Sequence, residues 1–529
     1  MGVHEWNVGW IARKWAAVQP RKTAFIFEDR TITYQALNEG ANRVSHCLQE
    51  KGIKKGDRVS VLLKTCPEFL EVYFGVAKLG AILVPLNFRL IGAELEFQLN
   101  NTDCRLLVFH DVFAEEVDKI RSRIGVEADK YICLKNAIQD GAECPEWAVD
   151  YHDLMNGYSS DEPLPDESVE GDHPLAIIYT SGTTGTPKGA VLSHLQTHFK
   201  CASNVLTYDM RKDDVWLTTL PLCHSAGLFI SATTTLYRGA TLVMREKFDA
   251  RQFAEDIAKY RATIVYAFTT MWKFILEGGM LDKVDKGSAR VFLGGGERTP
   301  QTLLDELAQR GVVLLQGFGQ TESSNMMVLA KYDRGRAAFI PNFFVDAWIE
   351  NEAGERLPPG EMGEIVTKGP TVMSGYWKLP EENAKTIVGG KLHTGDLAYM
   401  DEEGCFYLGD RAKDMYRSGG ENVYPAEIEK VLADHPKIFD VAIIGVSDEK
   451  WGETGLALVV KNENEMLTDE EVLSYLNGRV ARYKIPRYVE FVDELPMTAS
   501  GRIKKVDLRD KYGVPKREAE AASKNRRAP

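Results

Sequence analysis

No apolar run in this 529-residue chain approaches the roughly 18 residues of a membrane-spanning helix. The best, LGAILVPL at 79–86, is interrupted by Pro85. The opening stretch MGVHEWNVGWIARKW has neither the apolar core nor the cleavage site of a signal peptide. The eight cysteines (47, 66, 104, 133, 144, 201, 223 and 405) form no C-x-x-C pair and have no histidine at metal spacing. Reduced, packed thiols are therefore expected rather than a disulfide framework or a zinc site. Positive charge is in deficit, with 64 Lys and Arg against 77 Asp and Glu and a net charge of -13, which argues against nucleic acid or an anionic membrane as partner. Internal repeats are lacking too. A cytoplasmic protein is expected, and any anionic ligand must be met by locally placed cations and backbone amides.

A hydrophobic fraction of 44% with 10% aromatics is that of an ordinary globular protein. The length exceeds what one core accommodates, so at least two folding units are expected. YQALNEGANRVSHCLQE has helical spacing, DRVSVLL is a short β-rich run, and FLEVYFGVAKLGAILVPLN reads as a helix leading into a buried strand. The same α/β grammar recurs in ATLVM, FDARQFAEDIAKYRATIVYAF, ARVFLGGG and QTLLDELAQRGVVLLQGFG, where strands end in glycines, the places at which ligands bind in such folds. From about Phe343 to Met400 the runs shorten and turn signals multiply, predicting hairpins of a smaller β-subdomain. Beyond DRAKD a helix, strand, strand, helix pattern suffices for an independent domain. The closing PKREAEAASKNRRAP reads as a frayed tail, with a contact arm as the alternative.

Between two apolar runs, IIYTSGTTGTPKGAVLSH (177–194) concentrates glycines, small hydroxyl residues and one lysine. Such a loop can form a concave nest of N–H and O–H donors that favours phosphate, and Lys188 adds a point charge. A nucleotide P-loop would need G-x-x-x-x-G-K-[ST] opening a helix. Here Pro187 precedes the lysine and GAVLSH continues as a strand, so the loop joins two strands. Alone, it could equally be a surface hairpin.

The string YTSGTTGTPKG resembles the signature of the adenylate-forming superfamily: acyl-CoA synthetases, nonribosomal-peptide adenylation domains and luciferases. The resemblance continues in order through PLCHSAGL (221–228), GGGERTP (294–300), GFGQTE (317–322), GEIVTKGPTVMSGYW (363–377), HTGDLAYMDEEG (393–404), GDRAKDMYRSGGENVYPAEIE (409–429) and YKIPRYVEFVDELPMTASGRIKK (483–505). The ordered set is specific, and SGGENVYPAEIE looks most like ligases acting on fatty or related acids. It implies an α/β fold: a large N-terminal domain (1–412) of α/β subdomains with a small β-subdomain, then a small mobile α+β C-terminal domain (413–515) and a disordered tail (516–529).

The resemblance also implies roles. Thr180, Ser181, Gly182, Thr183, Thr184, Gly185 and Lys188 would cradle the β- and γ-phosphates of ATP, and Glu322, with Thr183, would hold Mg2+ through hard oxygen. Gly295, Gly296, Glu297 and Gly317, Phe318, Gly319, Gln320, Thr321 would line the nucleotide, Phe318 lying against adenine where many relatives have tyrosine. Asp396 and Arg411 would hold the ribose hydroxyls; on spacing alone they could be halves of a surface salt bridge. His224, Phe268, Gly294 and Gly319 would line the acyl pocket, although a lone histidine is more often a packed core residue. Glu297 stands where many acyl-CoA synthetases have a small residue.

Lys413 matches the hinge, and Ser418, Gly419 and Gly420 the segment that would meet coenzyme A. One departure stands out. Relatives carry Ser/Thr-Gly-Lys where this chain has Arg502, whose planar fork is longer and differently aimed than an ammonium. Losing a donor optimally placed on a developing phosphorane costs about 3 kcal/mol.

The expected activity is that of an ATP-dependent carboxylic acid:CoA ligase acting on a medium or long-chain fatty acid, with an aryl or branched acid as the alternative. A second reading passes the acyl group to a carrier protein or an amine. A third keeps only nucleotide or acyl binding. A homodimer is implied by the resemblance alone.

Overall fold

The computed structural model describes residues 6–513 apart from 91, 137, 139–142, 165–166, 181–186, 296–298, 300, 334–335, 412–413, 419–420, 449–451, 464, 478, 481 and 498–502. Three sheets organise them. The first has a parallel core (Arg58–Leu62, Ile82–Pro85, Leu106–His110, Tyr131–Leu134) extended by the antiparallel hairpin Pro174–Thr180 and Lys188–Ser193. Its strands are almost wholly buried and apolar, as expected where helices cover both faces.

The second and largest sheet changes character midway. Thr23–Phe27, Thr241–Met244, Val215–Thr218, Ile264–Tyr266, Val291–Gly294 and Leu314–Gln320 run parallel. Leu314–Gln320 then pairs antiparallel with Ser324–Asp333, and the sheet continues through Arg336–Pro341, Phe406–Arg411, Lys391–Met400, Gly363–Lys368 and Asp346–Glu350. Leu314–Gln320 is thus the strand at which the parallel half of the sheet gives way to the antiparallel half, and its glycine-rich end lies at the strand termini, where ligands bind in such folds. The β-region therefore begins earlier than the turn-rich stretch suggested, at Ser324 rather than Phe343. A short helix, Pro380–Thr386, interrupts it. The third sheet (Tyr416–Ser418, Glu421–Val423, Ile438–Asp448, Gly452–Lys461, Tyr488–Phe491) carries the helices Pro425–Ala433 and Asp469–Leu476 and has its own core around Val423, Ile428, Ile443 and Val459.

The helical readings correspond to Tyr34–Glu50, Pro67–Leu79, Ala250–Lys259 and Gln301–Gln309. Caps fix their starts: the Thr33 hydroxyl accepts from the amide of Ala36, and Asp249 accepts from that of Gln252. The helix His194–Thr207 opens on a capping box in which Ser193 and Gln196 satisfy each other's backbone N–H. One expectation is corrected. Cys133 and Cys144 are joined in a disulfide with Cα atoms 5.6 Å apart, because the chain after the strand Tyr131–Leu134 folds back on it; the other six cysteines are free and buried. Among the described residues no helix is long and apolar enough to cross a membrane.

Candidate active site

The glycine-threonine loop does join two strands, with Thr180 paired to Lys188 across the hairpin. Ser181, Gly182, Thr183, Thr184 and Gly185 lie outside the described residues. The rims of the loop are well defined. Thr180 Oγ1 lies 3.4 Å from Glu322 Oε1, and the Lys188 ammonium is ion-paired with Glu382 and sits 5.3 Å from the centre of the Tyr376 ring. The Tyr376 hydroxyl in turn donates to Glu322 Oε1 at 2.8 Å. Lysine, carboxylate, phenol and hydroxyl from three distant parts of the sequence thus converge, the lysine and the hydroxyl from the two rims of one loop.

Glu322 does not begin a helix. It sits in a turn leading to the strand Ser324–Asp333, buried at 6% exposure. Its backbone carbonyl accepts from the amide of Met373 at 2.7 Å, which ties GPTVMSGYW to GFGQTE. A buried carboxylate with a hydroxyl beside it is a hard-oxygen set suited to Mg2+.

The neighbouring blocks interlock in the same way. Thr321 and Ser225 share a hydroxyl hydrogen bond at 3.1 Å, and Gln320 Nε2 donates to the carbonyl of Thr394. Asp396, two residues further on, stands directly opposite Arg411 in the antiparallel pair, so both candidate ribose ligands occupy one rung of the sheet. Phe318 is half-buried and packs edge-on to Phe339, their centroids 6.4 Å apart.

His224 follows the strand Val215–Thr218. Its Nε2 is shielded from solvent and has no hydrogen-bond partner, and burial first, then the Arg89 charge, holds its pKa down to about 4. The imidazole is therefore neutral at pH 7, with an unspent polar atom. The next turn, Ala226–Thr233, is wound as a π-helix whose Ser231, Thr233 and Thr234 hydroxyls donate to carbonyls five residues back. Gly227 makes this possible: a Cβ there would stand 2.1 Å from the carbonyl oxygen of Pro221.

The acyl-pocket candidates Phe268, Gly294 and Gly319 lie at the ends of adjoining strands. At Gly319 a Cβ would fall 1.8 Å from the carbonyl oxygen of Ser324, and at Gly295 it would fall 3.1 Å from that of Gly317. Close backbone approach requires glycine at 319 and leaves a side chain only a tight fit at 295. Gly296 and Glu297 lie outside the described residues, as do Lys413, Gly419, Gly420 and Arg502. Ser418 is buried in a hairpin with Glu421, and Asp414, beside the hinge candidate, accepts from Arg509 at 2.9 Å.

Residue reasoning missed Tyr376, Glu382, Ser225 and Gly227. Tyr376, Ser225 and Gly227 lie inside motif blocks but carry no charge that singles them out. Glu382 is one of several exposed-looking acids on a short helix, and only the fold brings it to Lys188.

Comparison with known proteins shows the family. The model of the AMP-binding enzyme family matches residues 12–377, and that of the AMP-binding enzyme C-terminal domain matches 427–502. A feruloyl-CoA synthase of Amycolatopsis sp is 35% identical over 95% of this chain and 98% of its own. The long-chain-fatty-acid–CoA ligase FadD13 of Mycobacterium tuberculosis is 35% identical over 96% and 100%. ATP-bound MatB from Rhodopseudomonas palustris superposes with a TM-score of 0.86 at 29% identity over 96% and 99%, whereas apo MatB, over the same shares, gives 0.77. This chain is thus arranged more like the ATP-bound form. Motifs, fold and relatives agree: the chain belongs to the AMP-binding enzyme family, as an AMP-forming acid–CoA ligase.

Proposed function

We propose that the convergence of Thr180, Lys188, Glu322 and Tyr376 is the site at which the β- and γ-phosphates of ATP are held while a carboxylate attacks the α-phosphorus. One bond forms between the acid oxygen and phosphorus, and the bond to the pyrophosphate oxygen breaks, leaving an acyl-adenylate. The thiolate of coenzyme A then attacks the acyl carbon, and AMP departs with the former carboxylate oxygen. Two anions must meet in the first step, so fixed donors contribute chiefly by position and charge. Lys188 offers an ammonium that Glu382 holds near the Tyr376 ring. Glu322, steadied by the Tyr376 hydroxyl, and Thr183 would hold Mg2+, which neutralises phosphate charge when bound.

In the same reading Phe318 lies against adenine, Asp396 and Arg411 take the ribose, and Arg502 supplies the α-phosphate charge that relatives take from lysine. The C-terminal domain turns about Lys413 between the two steps, bringing the segment 418–420 to coenzyme A.

The relatives divide between aryl and fatty acids and so leave the acid open. Within our reading the unpaired Nε2 of His224, in the block that would line the acyl pocket, supports an aryl acid over a long alkyl chain. Pyrophosphate release from ATP and magnesium over straight-chain, branched and aryl acids, each with and without coenzyme A, tests the proposal. Thioester formation dependent on coenzyme A supports it. Release without coenzyme A, with transfer to an amine or carrier thiol, would replace it.

A further inference from the structure

The helix Gly92–Asn101 belongs to none of the motif blocks, yet its last turn holds one root of the glycine-threonine loop. Phe97 meets the ring of Tyr179 edge-on, with centroids 6.4 Å apart. One turn on, Asn101 Oδ1 accepts from the Tyr179 hydroxyl at 2.6 Å. Tyr179 immediately precedes Thr180 and is paired with Gly189 across the hairpin. Burial raises the pKa of this phenol, so it remains a donor at neutral pH.

The main chain of Asn101 reaches the other root of the loop. Its carbonyl accepts from the indole nitrogen of Trp377 at 3.1 Å, and the Trp377 amide donates to the carbonyl of Gly189 at 2.7 Å. Four residues thus close a ring: Asn101 to Tyr179, Tyr179 to Gly189 by strand pairing, Gly189 to Trp377, and Trp377 back to Asn101. A Cβ at Gly189 would lie 3.5 Å from both Tyr179 Cζ and Trp377 Cβ, so the two aromatic side chains flank this glycine. Two residues beyond Asn101, Asp103 accepts from Lys378 at 2.7 Å, which fastens the helix end to the segment that carries Tyr376. With Phe97, Lys188 and Glu382, Asn101 also borders a cavity of about 160 Å3.

A glycine-rich loop has much conformational freedom to lose when it closes on a ligand, so its grip depends on how firmly its ends are held. Strand pairing already holds the main chain of Tyr179. The bond from its hydroxyl to Asn101 adds a link to the segment that carries Tyr376, on the side of the hairpin where Lys188 stands. Resting on the reading that this loop holds the β- and γ-phosphates of ATP, we propose that Asn101 is a positioning residue for adenylation, acting on the triphosphate through Tyr179 and Trp377. Its influence is confined to ligands that carry those phosphates: ATP feels it, whereas AMP and the acyl-adenylate do not.

The test compares equilibrium binding of ATP with magnesium, and of AMP, to wild type, Asn101→Ala, Tyr179→Phe and the double variant. Asn101→Ala removes the acceptor for Tyr179 and leaves the carbonyl that holds Trp377, so the helix end stays attached. Loss of one such hydrogen bond corresponds to about 2- to 10-fold, and Kd for ATP is expected to rise by that factor with Kd for AMP unchanged. Tyr179→Phe is expected to do the same, and the double variant no more than either single change, because both remove one bond. Conversion of preformed acyl-adenylate to thioester keeps its wild-type rate in all three. Equal weakening of ATP and AMP, no weakening of ATP, or additive effects would overturn the proposal. If Asn101→Ala does not fold, Tyr179→Phe decides by the same comparison of ATP with AMP. Binding needs no acid, so a wild type that binds ATP yet releases pyrophosphate with no acid counts against the ligase reading and not against Asn101.

Discussion

The Tyr376 hydroxyl donates to Glu322 Oε1 at 2.8 Å, joining a residue of the first sheet to one at the turning point of the second. Tyr376 is paired to Ala190 on the strand that Lys188 begins, so one phenol positions the carboxylate while its ring borders the lysine. Tyr376→Phe keeps the ring and removes the donor. A hydrogen bond to a charged group is worth about 1.5–3 kcal/mol, so adenylation is expected to fall about 10- to 100-fold. Magnesium dependence should move to higher concentration. Pyrophosphate exchange measured against magnesium concentration checks this, and an unchanged midpoint would detach Tyr376 from the metal.

If Lys188 holds phosphate as proposed, Glu382 competes with that phosphate for it. Their ion pair is partly solvent-exposed, with side chains at 13% and 32%, and pairs of this kind contribute about 0–1 kcal/mol. Glu382→Gln is therefore expected to lower KM for ATP by at most about fivefold, with kcat little changed. A higher KM would mean that Glu382 positions the ammonium rather than occupying it.

Gly227 tests the π-helical turn. A methyl group there must displace the backbone at Pro221, and overpacking of this sort costs about 1–3 kcal/mol. Gly227→Ala is expected to lower the melting temperature by several degrees and to weaken adenylation further, because His224 begins the displaced segment. Thermal melts and pyrophosphate exchange on one preparation separate the two effects. Wild-type activity with an unchanged melt would refute the close approach.

The alternation of helical and strand patterns marked several elements of the parallel regions, because strands buried on both faces are continuous apolar runs that glycines terminate, but it passed over Thr23–Phe27, Leu106–His110 and Tyr131–Leu134. What periodicity concealed was pairing. SSNMMVLAKYDRGRAAFIP lacks clean alternation, so the strands Ser324–Asp333 and Arg336–Pro341 did not declare themselves, and with them went the continuity of the great sheet. The candidate site was legible where an ionisable residue stands in a motif, at Lys188, Glu322, Asp396 and His224. It was illegible where function depends on neighbours from other segments. Nothing local distinguishes Tyr376 from other tyrosines. The Cys133–Cys144 bridge was missed for the same reason, since spacing alone does not bring two Cα atoms to 5.6 Å.

The two domains are held together in part by Lys273. Its ammonium donates to the carbonyl of Phe439 at 2.9 Å and lies 3.6 Å from the centre of that residue's ring, on the strand Ile438–Asp448 of the C-terminal domain. The arrangement it secures resembles ATP-bound rather than apo MatB. Lys273→Ala is expected to slow adenylation several-fold while leaving conversion of preformed acyl-adenylate to thioester unchanged. Equal slowing of both half-reactions would show that the contact stabilises the fold and not one orientation.

Stability should depend on pH through Glu71. This carboxyl faces Tyr151, whose hydroxyl donates to Oε2 at 2.8 Å, and burial, with Glu68 adding its charge, raises its pKa from 4.5 to about 7. A carboxyl with a higher pKa in the folded state binds its proton more tightly there. Its stabilising contribution is complete below about pH 4.5 and is lost as pH rises through about 7. Each tenfold gain in proton affinity corresponds to about 1.4 kcal/mol, and partial access to solvent reduces the total to about 1–2 kcal/mol. Glu71→Gln, neutral at every pH and still able to accept from Tyr151, is expected to melt higher than wild type at pH 8 and no higher at pH 4.5. Denaturant unfolding of both proteins across that range measures the difference. Curves that stay parallel from pH 4.5 to 8 would mean that Glu71 is ionised throughout and that its enclosure by the helices costs the fold nothing.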